Sequence, residues 1–250
     1  MLSKNTIKYI RALQQKKYRQ KYNNFVVEGE KMAAEMLRSQ LTTPEAIYAV
    51  PEWIDQQGPA LASHSDKITA VTERELSQIS ALKTANKVVL IARQMEHRPD
   101  AELVRRSLCI FLDDIRDPGN MGTILRIADW FGLPYIFCSP DCVDHYNSKV
   151  VQATMGAIFR VPVIRLSLNE LTQQFPDLPY YAAMLDGTNV FTPQNPQGIL
   201  IIGNESHGIN EDQLPVGTHA LTIPRPEGSV AESLNAAVAT GILVAALLNN

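Results

Sequence analysis

Leu108-Cys109-Ile110-Phe111-Leu112, leading after four residues into Asp117-Pro118-Gly119-Asn120-Met121-Gly122, is the stretch on which the fold turns. Five consecutive apolar residues without polar alternation predict a strand buried on both faces of a parallel sheet. The Asp117–Gly122 segment reads as a loop, followed by a helix from about Thr123 to Phe131. Tyr135-Ile136-Phe137-Cys138 then returns as the next strand, completing a βαβ unit with a right-handed crossover. Further strands are expected at Val161–Ile164, Tyr181–Leu185, Ile199–Ile202 and Ala220–Ile223. A helix rich in small residues, from about Ala231 to Leu248, closes the chain.

The N-terminal half has its own α/β pattern. A helix is expected over residues 4–20 with Ser3 as N-cap, then a strand at Phe25-Val26-Val27 and a helix from Glu30 to Leu37. Strands at Ala46–Val50, Ile68–Val71 and Lys87–Ala92 follow, with a helix near Glu73–Ile79. His97-Arg98-Pro99-Asp100 breaks the pattern. The expected organisation is therefore an N-terminal domain over 1–96, a linker over 97–106 and a second domain over 107–250.

Composition narrows the function classes. At 45% hydrophobic and 20% charged, the 250 residues match an ordinary globular protein. The longest apolar run, Ile242–Leu248, is too short to span a bilayer, so no membrane association is expected. No apolar N-terminal region with a small-residue cleavage site stands out, and Cys109, Cys138 and Cys142 suit a reducing compartment, so a cytoplasmic location is expected. The five histidines (His64, His97, His145, His207, His219) show no metal-ligand spacing, so no metal is expected.

Charge is unevenly placed. Residues 1–38 carry nine Lys/Arg against Glu28, Glu30 and Glu35, a local +6 on a chain whose total is −3. Tyr9, Tyr18 and Tyr22 are interleaved with these cations. The segment suits a polyanion with bases to stack on the rings, or simply a solvated amphipathic helix with Ile7, Ile10 and Leu13 turned inward.

Three polar segments, each following a short apolar run, carry the chemistry, because open α/β sheets bind ligands at the carboxyl ends of their strands. In the first, Gly119-Asn120-Met121-Gly122 is G-x-x-G and not G-x-G-x-x-G, which excludes a dinucleotide-dependent oxidoreductase. Arg126, one turn into the following helix, together with helix N-terminal N–H groups, favours an anion such as a phosphodiester; a tight turn with a surface arginine is the alternative. In the second, Gly203-Asn204-Glu205-Ser206-His207-Gly208, the leading glycine permits close approach of a ligand to the backbone. In the third, Ile223-Pro224-Arg225 leads through Gly228 to Ser233-Leu234-Asn235, where Ser and Asn also suit helix capping.

Together these segments resemble the SpoU/TrmH family of RNA ribose 2′-O-methyltransferases, within the SPOUT class. Its pattern Asn-x-Gly-x-x-x-Arg is matched by Asn120 to Arg126, Gly-x-Glu-x-x-Gly by Gly203 to Gly208, and Ile-Pro…Ser-Leu-Asn by Ile223-Pro224 with Ser233-Leu234-Asn235. Phe25-Val26-Val27-Glu28-Gly29-Glu30 and the helix after it resemble the family's N-terminal substrate-binding domain. The resemblance implies a mostly parallel α/β sheet with a trefoil knot, S-adenosylmethionine as cofactor, structured RNA (transfer or ribosomal) as substrate, and a homodimer. It implies that Asn120, Arg126, Glu205, Ser233 and Asn235 form the catalytic group, and that Ile202, Gly203, Asn204, Ile223 and Leu234 hold the cofactor, largely through backbone groups. Lys4, Lys8, Arg11, Lys16, Lys17, Arg19 and Arg225 are the expected RNA contacts. Ser206 and Arg225-Pro226-Glu227 depart from the family pattern. A catalytically silent RNA-binding protein that keeps the fold is the competing reading.

Overall fold

The computed structural model describes residues 1–82, 84, 86–192, 197–204 and 206–249. It forms two compact units, one of Met1–Glu96 with Asp144–Arg160, the other of His97–Val143 with Val161–Asn250. No helix among the described residues is long and apolar enough to cross a membrane.

In the first unit, α1 (Lys4–Ala12) is N-capped by the Ser3 hydroxyl, which accepts from the Thr6 N–H. The single helix expected over 4–20 is broken at Leu13–Gln15, and α2 spans Lys16–Tyr22. The break has a clear cause: Leu13 is buried, and the carbonyls of Leu13 and Gln14 turn to accept from the Arg19 guanidinium, each at 2.9 Å. Then come β1 (Asn24–Glu28), α3 (Glu30–Arg38), β2 (Pro44–Ala49), α4 (Pro51–Gln57), a 3-10 stretch over Gly58–Lys67, β3 (Ile68–Ala70), α5 (Glu73–Ile79) and β4 (Val88–Arg93). The sheet order is β1-β4-β2-β3, with β4 antiparallel to both neighbours and β2 parallel to β3.

The second unit begins where a linker was expected. Residues 97–106 hold a short helix, α6 (Ala101–Arg105), because the Asp100 carboxylate caps the N–H groups of Glu102 and Leu103. β5 (Leu108–Leu112), α7 (Pro118–Trp130) and β6 (Ile136–Cys138) make the expected βαβ unit. After α8 (Ser148–Ala153), which lies in the first unit, the second continues with β7 (Val163–Arg165), α9 (Leu168–Gln174), β8 (Tyr180–Asn189), β9 (Gly198–Ile202), β10 (His219–Thr222) and α10 (Ala236–Leu248). The six strands lie in the order β10-β8-β9-β5-β6-β7, and every pair is parallel. Every residue of β5 and β9 is buried, as a sheet covered on both faces requires. Alternate residues Cys109, Phe111, Ile199 and Ile201 share one core with Leu168, Leu171 and Phe175 from α9 and its end.

The segment Asp144–Arg160, which carries α8, was expected in the C-terminal domain but belongs to the first unit. Asp144 pairs with the buried Arg19, and the Tyr146 ring packs on Phe25 with centroids 4.6 Å apart. The Tyr146 hydroxyl accepts from the Met95 N–H at 2.7 Å and donates to its carbonyl at 3.1 Å. Gln152 donates to the Glu28 carbonyl.

β8 runs four residues past its expected end because it meets β10 in two registers. Ala220 pairs with Ala182, whereas Leu221 pairs with Thr188. Gly187 makes the jump possible, since a Cβ there would lie 2.6 Å from the Ala220 carbonyl oxygen.

Candidate active site

All three motifs emerge from one edge of the parallel sheet, at the carboxyl ends of β5, β9 and β10. The first is not a loop. Helix α7 starts at Pro118, with the Asp117 carboxylate as N-cap accepting from the Asn120 N–H at 2.8 Å, so Asn120 and Gly122 already lie in helical turns. Asp-Pro at the N-cap and first helical position was the signal to read; the neighbouring glycine made it look like loop. Gly122 is buried and Arg126, four residues on along the same face, is exposed.

The second motif follows β9 directly. The Ile202 carbonyl accepts from the Asp113 N–H at 2.8 Å, which continues the β5–β9 pairing one residue beyond the strands. Asn204 and Gly208 exchange both main-chain hydrogen bonds, closing the loop on itself. The Asn204 side chain accepts from the N–H groups of Ser206 and His207 and donates to the Asp114 carbonyl at 2.8 Å. Expected as a cofactor contact, Asn204 thus spends its side chain on building the loop and tying it to the turn after β5. Ser206, one of the departures from the family pattern, is accommodated in that turn through its N–H. Gly203 is required by close approach: a Cβ would lie 2.5 Å from the Gly208 carbonyl carbon and 2.6 Å from Ile209 Cγ1. Glu205 lies outside the described residues.

Between Ile223 and Leu234 the chain is irregular and mostly exposed, and its one internal main-chain hydrogen bond runs from the Ser229 N–H to the Pro226 carbonyl. Arg225, expected to face RNA, donates to the Ala231 carbonyl at 2.9 Å and so clasps this loop. Helix α10 begins at Ala236 and not Ala231, because Asn235 is its N-cap, accepting from the N–H groups of Ala237 and Val238. Ser233 and Leu234 precede the helix in the exposed segment. The other end of the Asn235 amide donates to Asn120 Oδ1 at 2.8 Å. This bond ties the third motif to the first across 115 residues of sequence. Behind it α10 packs on α7, where Gly241 sits against Ile127.

The turn after β5 is braced from below. Cys142 Sγ donates to the Leu112 carbonyl and accepts from the Ile115 N–H, both at 3.3 Å. A hydrogen bond from the Cys138 thiol holds the Cys142 thiol down to about 7, against the upward push of burial. Burial also raises the Asp113 carboxyl, partly offset by the Asn210 N–H. Among the described residues no group of three or more His, Cys, Asp or Glu is placed to hold a metal ion.

The donor set around Ile223–Leu234 suits a nucleoside cofactor. It offers main-chain N–H and C=O groups not spent on secondary structure, beside apolar Ile223, Val230 and Leu234, with Val230 and Leu234 exposed.

In the first unit, Lys4, Lys8, Arg11, Lys16 and Lys17 are exposed, and Arg11 Nε donates to the Gln78 carbonyl at 2.6 Å. Arg19 is buried. It is 2% exposed, its Nε and Nη2 donate to Asp144 Oδ2 at 2.9 and 2.6 Å, and its Nη1 caps two carbonyls. A guanidinium with every face spent in the core has none left for phosphate, so the expectation for Arg19 is corrected. Lys21, left out of the expected contacts, lies 5.4 Å over the Tyr22 ring, and Lys17 lies 4.8 Å over Tyr18.

Known proteins place this arrangement. The SpoU rRNA Methylase family model matches residues 107–245, and the MRM3-like substrate binding domain matches 4–90. RlmP of Bacillus subtilis, a 23S rRNA (guanosine(2553)-2′-O)-methyltransferase, is 29% identical over 246 residues, covering 95% of this chain and 94% of that protein. A solved structure from Porphyromonas gingivalis, described as an RNA methyltransferase of the TrmH family, superposes with a TM-score of 0.85 at 33% identity, covering 98% of each chain. An AdoMet-bound rRNA methyltransferase from Sinorhizobium meliloti also gives 0.85, at 27% identity, covering 98% of this chain and 95% of the other.

Proposed function

The chain belongs to the SpoU rRNA methylase family, and on that premise we propose that it transfers a methyl group from S-adenosylmethionine to a ribose 2′-hydroxyl of structured RNA. Ribosomal RNA is the acceptor class favoured by the relatives of known activity. The observation that carries the reading is the Asn235–Asn120 hydrogen bond, which brings the third motif onto the helix bearing Arg126.

When bound, the cofactor supplies an electrophilic methyl on its sulfonium. The protein's task is then alignment of the attacking oxygen and removal of its proton. Asn120, fixed by Asn235 and by the capped first turn of α7, positions the acceptor ribose. Arg126 anchors the adjoining phosphate and stabilises the alkoxide developing at O2′. It is not the general base, since a guanidinium keeps its proton at any physiological pH. The 2′-hydroxyl proton passes to an oxygen of the RNA phosphate held there. Ile202, Gly203, Ile223 and Leu234 hold the cofactor through the backbone, with Glu205 and Ser233 ordering the site.

A homodimer and the knotted chain path of the family belong to the same proposal. Trp130 at the end of α7, 85% exposed, and Val238 on α10, 53% exposed, are apolar surface that a second copy would cover. The three cysteines, buried and outside any disulfide, support a cytoplasmic location.

Arg126→Ala is expected to abolish methylation while calorimetric titration with S-adenosylmethionine still shows binding; equal loss of both would assign Arg126 a structural role. Mapping 2′-O-methyl marks in total RNA with and without the gene identifies the acceptor. A lost mark on a base atom would overturn the reaction assignment.

A further inference from the structure

Leu112, Cys138, Arg165 and Ile202 stand level with one another at the carboxyl ends of β5, β6, β7 and β9. Leu112 pairs with both Cys138 and Ile202, and Cys138 pairs with Arg165. Of these four strand ends, those of β5 and β9 lead into motif segments and those of β6 and β7 do not. A continuous set of hydrogen bonds nevertheless runs from β7 to the Gly203–Gly208 loop.

The set starts at Arg165, half-buried on β7. Its Nη1 donates to the carbonyls of Ser139, Pro140 and Cys142 at 2.9, 2.8 and 3.1 Å, and its Nη2 to that of Val143 at 3.0 Å. One planar fork of donors thus fixes the path of the segment after β6. That segment grips the turn after β5. The Ser139 N–H donates to the Leu112 carbonyl at 2.9 Å, and the Val143 N–H to that of Ile115 at 2.8 Å. Between them, Ser139 Oγ accepts from the Asp114 N–H at 3.0 Å and Cys142 Sγ from the Ile115 N–H at 3.3 Å.

The grip matters most at Asp114. It is held at φ 53°, in the left-handed region that residues with a Cβ avoid, although aspartate tolerates it better than most. Its N–H meets Ser139 on one side, while its carbonyl accepts from the Asn204 amide at 2.8 Å on the other. Rotation to negative φ would swing the Asp114 N–H and carbonyl relative to each other, so the two bonds cannot both survive it. Ser139 and Asn204 are therefore coupled through one strained residue.

We propose that Ser139 and Arg165 are positioning residues for the cofactor, holding the Gly203–Gly208 loop through Asp114 in the shape that S-adenosylmethionine binds. The proposal rests on the proposed function for the identity of that cofactor. Helix α7 depends on the grip less, because it begins beyond Arg116 and has its own N-cap in Asp117. The expected signature is a cofactor affinity that falls while turnover at saturation persists.

The test uses the whole protein, with RNA from cells lacking the gene as acceptor. Ser139→Ala should raise the KM and the calorimetric Kd for S-adenosylmethionine about fivefold, the scale of one neutral hydrogen bond. Its kcat at saturating cofactor should stay within about twofold of the parent's. A merely structural loss would deplete active protein, lowering kcat and leaving KM alone. Glycine occupies the left-handed region without strain, so in an Asp114→Gly background Ser139→Ala should change the KM by less than about twofold. Arg165→Lys, which keeps the charge but not the fork, should raise the KM as Ser139→Ala does. Parent affinity in Ser139→Ala, or an equal loss in both backgrounds, overturns the proposal; parent affinity in Arg165→Lys alone removes Arg165 from it. A parent protein that does not bind S-adenosylmethionine overturns the proposed function, and this proposal with it.

Discussion

Replacing Asp144 by alanine should destabilise the first unit strongly, and Arg19→Met should do the same. Arg19 is 2% exposed and donates twice to Asp144, whose side chain is 14% exposed. Removing one partner of a buried pair costs about 3–5 kcal/mol, because the other charge is left without compensation. The residual exposure of Asp144 argues for the lower end, about 3 kcal/mol. Methionine keeps most of the apolar stem at position 19, so Arg19→Met isolates the charge and its hydrogen bonds from packing. The double variant should cost less than the sum by about 1 kcal/mol or more, the signature of direct coupling. Tryptophan fluorescence during urea unfolding reports on the first unit selectively, since Trp53 is 1% exposed whereas Trp130 is already 85% exposed. A loss of this size corresponds to a melting shift of about 6–12 °C. Acid provides a check of sign. Burial pushes the Asp144 carboxyl up, but the charge and hydrogen bonds of Arg19 outweigh it and hold the group below its ordinary value. The contribution is therefore complete above the unfolded carboxyl's pKa and is lost as pH falls through the folded one, so parent and Asp144→Ala should converge in acid. Unchanged midpoints, or an Arg19→Met protein of full stability whose RNA affinity and salt dependence fall, would refute the structural role and return Arg19 to the RNA-facing set.

Other substitutions probe the second unit and the N-terminus. Asn235→Ala should cost about 1 kcal/mol as a lost N-cap and also lower methylation; Asn235→Asp keeps the cap but not the amide donor to Asn120, so activity lost with stability retained assigns the effect to that contact. Gly203→Ala places a methyl 2.5 Å from the Gly208 carbonyl carbon, and calorimetry should show S-adenosylmethionine binding lost while the fold, followed by circular dichroism, persists; normal binding would mean that the loop can open at no consequence. Hydrogen bonds from the Thr72 N–H, the Leu2 N–H and the Thr72 hydroxyl hold the Glu75 carboxyl down to about 2. Its stabilisation is present above the ordinary carboxyl range and lost as pH falls from about 4.5 toward 2. Hydrogen exchange at Leu2 should rise over that window, and the Glu75→Gln variant should lack the pH response.

How much of this was legible in the sequence depends on the range over which each feature is decided. β5 and β9 could be read residue by residue, because a strand buried on both faces writes itself as an unbroken apolar run. The capping box of α5 lies within four residues. The start of α7 was equally local, yet Pro118-Gly119 also fits a turn, and only the Asp117 side chain folded back onto the Asn120 N–H resolves the choice. The second register of β8 could not be read, since it is set by contact with β10 more than thirty residues away.

The site divides along the same line. The three motifs were visible because each is a short segment, but what converts them into a site is a pair of bonds, Asn204 to Asp114 and Asn235 to Asn120, spanning 90 and 115 residues. Arg19 shows the converse. In a run of exposed cations it looks like one more phosphate contact, and no spacing rule separates it from Lys16 or Lys17. Its difference comes from a carboxylate 125 residues on and from two carbonyls freed where α1 stops. A positive charge in such a segment belongs to the surface only if the helix stays whole. Where the helix breaks, the freed carbonyls must be satisfied, and the nearest guanidinium is the group best shaped to do it. The break between α1 and α2 and the burial of Arg19 are therefore one event. Arg19→Met should destabilise the Leu13–Gln15 turn first, before either flanking helix.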